Sequence, residues 1–139
     1  MIKALLCSVF LFLVGCVGVS PALPVQGVNV KGEVRMPSPV TRPAYVTVRL
    51  YAQVEGTPRL IAQARYRVAA LPVHFAFRLM PQQVVGEGLL LRSQLAWSEE
   101  GPVQARSWQP VVTDSNMKVN LGQLPCYPKC AVRSASMHL

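Results

Sequence analysis

Apolar residues in this chain recur at every second position, and prolines or glycines intervene before a helical period can be established. Val46, Val48 and Leu50 alternate with Tyr45, Thr47, Arg49 and Tyr51. Side chains of a strand project to opposite faces with a period of two, so this pattern marks a half-buried strand. The same rhythm runs through Val28–Met36, where Gly32 interrupts the apolar row, and through Leu60–Val68, Val73–Leu79, Leu89–Trp97 and Val103–Trp108. Val119–Leu121 has the character of a short last strand. In most of these segments no window keeps apolar residues at i, i+3, i+4 and i+7 without meeting Pro or Gly, which break helix interiors. Val54–Pro58 and Ser98–Pro102 carry turn chemistry, and Met80–Gly88 reads as a loop. The expected fold is all-β: a single antiparallel β-sandwich of about seven short strands.

The first residues are a different kind of segment. Lys3 precedes an uncharged apolar run, Ala4–Val14. A spanning helix needs about 20 apolar residues, whereas a secretory core needs roughly 7–15, so the run fits an export signal. Leu13-Val14-Gly15-Cys16 then resembles a bacterial lipobox: an aliphatic residue, a small residue before the cut, and a cysteine whose thiolate takes the lipid. That resemblance implies a signal peptide at residues 1–15, diacylglyceryl attachment to Cys16, cleavage after Gly15 and acylation of the new amine. Val17 follows the cysteine where inner-membrane lipoproteins often carry Asp, so the periplasmic face of the outer membrane is the expected address. Residues 16–26 form an uncharged, proline-containing tether, residues 27–124 the sandwich, and residues 125–139 a C-terminal tail.

Charge and composition bound the function. Fourteen Lys and Arg stand against six Asp and Glu, a formal net charge of +8, yet only 14% of residues are charged and 51% are hydrophobic. Such a chain is too apolar to be intrinsically disordered. Nucleic acid is excluded by the exported compartment, and no aromatic-interleaved recognition motif argues for it. Catalysis lacks parts: His74 has no neighbour in sequence to make a triad, Asp114 is the single aspartate, and Glu99-Glu100 fall in a turn. No phosphate loop or metal-spaced His/Glu motif occurs, so no enzyme activity, small-molecule substrate or cofactor beyond the covalent lipid on Cys16 is expected.

Two constellations remain. Cys126 and Cys130 flank Tyr127-Pro128-Lys129. In an oxidising compartment a disulfide is the favoured state, contributing about 2 kcal/mol of mostly local constraint. Free thiols are the next alternative. A zinc site would have two Cys, a distant His138 and no fourth ligand, and a redox motif would show the shorter Cys-x-x-Cys spacing. Separately, the outward rows of the strands carry Arg49, Arg65, Arg67, Arg78 and Arg92, which make a basic binding face if those strands share one sheet. Such a face could attract anionic headgroups, a polyanionic saccharide or an acidic peptide. Its ordinary explanation is a solvated sheet surface on which arginine blunts aggregation. Among the aromatics, Trp97 is expected to fill the core on its alternation, while Tyr45, Tyr51 and Trp108 could anchor a partner.

The lipobox, the tether, Val30-Lys31-Gly32-Glu33-Val34, Ala44–Leu50, Leu60-Ile61-Ala62-Gln63 and Pro72–Phe77 together resemble the YscW/YbaY lipoprotein family over about residues 16–112. The resemblance implies a type III secretion pilot: a lipid-anchored chaperone that binds the C-terminal segment of a secretin subunit. It would escort that subunit to the outer membrane and promote its oligomerisation. Cys16 carries over as the lipidation site; the Cys126/Cys130 tail lies outside the shared pattern. A YbaY-like periplasmic lipoprotein with a ligand-binding or envelope-stress role would share the fold and lack the secretin partner.

Overall fold

The computed structural model describes residues 27–84 and 86–131, so the expected signal peptide, Cys16, the expected tether and His138 lie outside the described residues. Eight strands occur in chain order: β1 (Val28–Arg35), β2 (Ala44–Val54), β3 (Thr57–Val68), β4 (Val73–Leu79), β5 (Leu89–Ala96), β6 (Val103–Pro110), β7 (Asn116–Asn120) and β8 (Gly122–Gln123). A single 3-10 turn, Pro81–Gln83, sits in the loop before β5. They form a three-stranded sheet ordered β4-β1-β7 and a five-stranded sheet ordered β3-β2-β5-β6-β8.

The two sheets enclose the core that the alternation marks out. Val46, Val48 and Leu50 of β2, together with Leu91 and Leu95 of β5, are fully buried. They belong to one apolar cluster with Val30, Val34, Phe75, Leu79, Met117 and Val119 from the smaller sheet. Interior-facing side chains on both sheets and polar side chains outside are what a sandwich requires. Ser93, on β5 between Leu91 and Leu95, is buried with its hydroxyl unpartnered among the described residues. A buried polar group left without a hydrogen bond carries its desolvation cost. Ser93→Ala is therefore expected to raise stability by about 1 kcal/mol, read as a higher urea midpoint at unchanged m-value.

The smaller sheet departs from the expected antiparallel pattern. β1 pairs antiparallel with β4 but parallel with β7, aligning Gly32 with Met117 and Val34 with Val119. Parallel neighbours need a long crossover, and here β2 to β6 lie between the two strands in sequence. The β1–β7 approach is close at Gly32: a Cβ there would come within 2.9 Å of Met117 Cβ and Phe75 Cζ. Glycine is the residue that lets two strands and an aromatic ring share that space.

The β2–β3 hairpin turns on Glu55 and Gly56 at φ 53° and 76°. Two positive φ values are the signature of a type I′ turn, whose twist matches that of the flanking strands. Thr57 and Pro58, expected in the turn, therefore already belong to β3. Proline is tolerated because β3 is an edge strand.

Candidate functional site

The outer face of the five-stranded sheet is where most of the anticipated basic residues meet. Cross-strand register places Arg67 beside Tyr45, and Arg65 beside Thr47, whose other neighbour is Gln94. Arg49 lies between Gln63 and Arg92, and Arg92 is next to Trp108. Arg106 pairs with Gln94 and completes the array. Arg78 does not take part: it sits on β4, opposite Asn29, in the other sheet. The alternation assigned Arg78 correctly to an outward row, but a two-residue period carries no information about which sheet a strand joins.

Local packing holds this face in place. Arg49 Nε donates to Gln63 Oε1 at 2.9 Å, and Trp108 packs on Tyr51 with ring centroids 5.5 Å apart. The Arg92 guanidinium lies 6.0 Å from the Trp108 ring centroid, within cation–π range. Thr47 is buried despite its outward direction. It lies at a shallow concavity of about 200 Å³ lined also by Tyr45, Arg49, Arg65 and the Ser98–Gly101 turn. Among the described residues the single ion pair is Arg35 with Glu33 on β1, so none of these five arginines is neutralised by a contact carboxylate.

The tail forms a second, structural constellation. Cys126 and Cys130 are joined by a disulfide with Cα atoms 4.8 Å apart. The sulfurs are thus bonded to each other, and no cluster of three or more potential metal ligands occurs among the described residues. The loop is held on the domain by two side chains. Trp97 is half-buried rather than a full core residue; its Nε1–H donates to the Pro128 carbonyl at 2.9 Å. Its ring packs on Tyr127 at 5.9 Å and lies under the Arg42 guanidinium at 4.3 Å. Gln104, fully buried, donates from Nε2 to the Cys130 carbonyl and accepts the Cys130 N–H at Oε1, both at 3.0 Å. Pairing between β5 and β6 shifts register at Leu95/Ala96, which leaves Gln104 without a partner on β5. Such a bulge re-aims a side chain, here toward the tail.

Sequence reasoning missed Gln104, because nothing in its neighbourhood points to a partner 26 residues away. Gln104→Ala leaves both Cys130 backbone groups unpaired and is expected to cost about 1–3 kcal/mol. Amide exchange at Cys130, and trypsin cleavage after Lys129, should both accelerate. Unchanged protection would mean that the disulfide holds the tail without the glutamine.

The residues considered for catalysis have ordinary places. His74 is exposed on β4 opposite Glu33. Asp114 takes a left-handed turn conformation, φ 57°, and its N–H donates to the Asn29 carbonyl. Glu99 and Glu100 are exposed in the β5–β6 turn. Among the described residues no helix is long and apolar enough to cross a membrane.

Residues 25–122 match the YscW family, described as type III secretion system lipoprotein chaperone. A type 3 secretion system pilotin of Pseudomonas aeruginosa is 41% identical over 120 residues, covering 86% of this chain and 87% of that protein. A type 3 secretion system pilotin of Yersinia enterocolitica is 37% identical over 119 residues, 85% of this chain and 86% of that protein. The family description is that of a chaperone, a protein that acts by binding rather than by catalysis. The chain belongs to the YscW family of type III secretion system lipoprotein chaperones.

Proposed function

We propose that this protein is a pilotin of a type III secretion system. Anchored through lipid on Cys16 at the periplasmic face of the outer membrane, it binds the C-terminal segment of the secretin and assists its targeting and oligomerisation. The observation that carries this reading is similarity to two proteins named pilotins across 85–86% of the chain. That similarity also favours it over a YbaY-like role without a secretin. A tethered binder raises the effective concentration of its partner at the membrane.

An extended peptide could join an open sheet edge, with main-chain hydrogen bonds giving affinity and side-chain pockets giving selectivity. β3 is such an edge, twelve residues long. Gln83 Nε2 from the β4–β5 loop takes the Ile61 carbonyl at 3.3 Å, at the register shift between β2 and β3, so an added strand would pair on either side of that residue. The test is binding of the full chain to a labelled C-terminal segment of the secretin encoded with it. Specific binding is expected, weakened at least about tenfold by backbone N-methylation of the segment. No binding sinks the pilotin reading; binding indifferent to N-methylation sinks the edge-addition mode alone.

A further inference from the structure

We propose that the arginine-lined outer face of the five-stranded sheet rests on the anionic phospholipid headgroups of the leaflet that holds the anchor. The inference relies on the lipid-anchored reading above and adds an orientation to it.

The arginines form an area rather than a line. Arg65 comes from β3, Arg49 from β2, Arg92 from β5 and Arg106 from β6, four adjacent strands of one sheet. Strands are spaced about 4.8 Å apart, so the guanidinia are spread over roughly 14 Å across the sheet. A bound peptide strand follows one edge, whereas a leaflet offers phosphates in two dimensions. Guanidinium groups engage phosphate oxygens bidentately and keep their charge at any relevant pH.

The acidic residues lie in turns at the ends of the array, and Glu99 and Glu100 border the concavity that Arg49 and Arg65 line without forming an ion pair among the described residues. Glu55 lies in the β2–β3 turn at one end of the sheet, and Glu99 and Glu100 in the β5–β6 turn at the other. Trp108 is 50% exposed on the same face. An indole that is apolar in body and polar at one edge suits the headgroup boundary. The outer face of the smaller sheet is different. There Lys31, Arg78 and Lys118 share the surface with Glu33, which is buried to 6% exposure and paired to Arg35.

The tether alone fixes no orientation. Residues 16–26 can extend by at most about 36–40 Å. A domain of about 100 residues has a radius of gyration near 13 Å, so every face lies within reach of the membrane. The face with arginines on four adjacent strands and an exposed indole decides between them.

The lipidated native chain is reconstituted in phosphatidylcholine vesicles and in vesicles containing about 30% phosphatidylglycerol, each with a headgroup-level quencher. Trp108 emission is read as the difference between the native chain and Trp108→Phe, and anchoring is checked by co-sedimentation. Quenching should be at least about twofold stronger on the anionic vesicles, fall in about 0.5 M salt, and be lost in Arg49→Gln/Arg92→Gln/Arg106→Gln. Arg78→Gln/Lys118→Gln on the opposite sheet should quench like the native chain. Equal quenching on both vesicles, or native quenching in the triple variant, overturns the proposal. If the triple variant instead loses only the secretin segment, the face belongs to the peptide and the proposal also falls. A chain that sediments with neither vesicle refutes the anchor itself, a result distinct from sedimentation without quenching.

Discussion

Changing Cys16 to serine is expected to move the protein from the membrane fraction to the soluble periplasmic fraction, a redistribution of roughly tenfold or more. Serine leaves the lipobox outline in place and removes the nucleophile, because an alcohol is not deprotonated where a thiol is. The physical effect is large because buried acyl chains contribute about 0.8 kcal/mol per CH₂. One myristoyl chain binds reversibly, and additional chains make dissociation negligible. Mass spectrometry of the native product gives the direct check: a fatty-acylated amino terminus at Cys16, absent from the serine variant. Under the pilotin reading the secretin should then be mislocalised while the soluble variant still binds its C-terminal segment. A native product with an unmodified amino terminus would defeat the anchor and everything built upon it.

The second large effect is expected at Gly32. Gly32→Val places a branched side chain where even a Cβ would overlap the Met117 carbonyl oxygen and crowd Phe75. The clash is with backbone on one side and a buried ring on the other, so no flexible side chain can swing away. Overpacking commonly costs 1–3 kcal/mol and more where backbone must shift, and at least about 3 kcal/mol is expected here. Against a typical total of 5–15 kcal/mol, that is a large fraction of the stability. Urea denaturation should show a markedly lower midpoint. A variant as stable as the native chain would mean that β7 does not lie beside β1 in this register.

The strands were largely legible because burial imposes its period on the residues themselves. Val46, Val48 and Leu50 could not sit on one covered face in any other regular conformation, and the structure buries all three. Partnership was not legible in the same way. Alternation says which side of a strand a residue occupies and is silent on what lies alongside, so β7 was not anticipated as a parallel neighbour of β1. Alternation groups Arg78 with residues of the opposite sheet for the same reason. Arg106 is legible too, since counting back two positions from Trp108 puts it on the tryptophan's face, where the register places it. Gln104 was beyond reach, since its meaning depends on a bulge and on a tail held by long-range contacts. The eighth strand is two residues long and carries no pattern at all.

The position of β7 also bears on how the molecule comes into being. β7 comes late in the chain, so β1 and β4 can pair before the strand that completes their sheet is in place. Until residues 116–120 arrive, one flank of β1 has no neighbour, and its glycine-centred gap stands open to any other extended segment. A product truncated ahead of Asn116 is thus not a smaller version of this domain but an unfinished one with an adhesive margin, prone to pair with copies of itself.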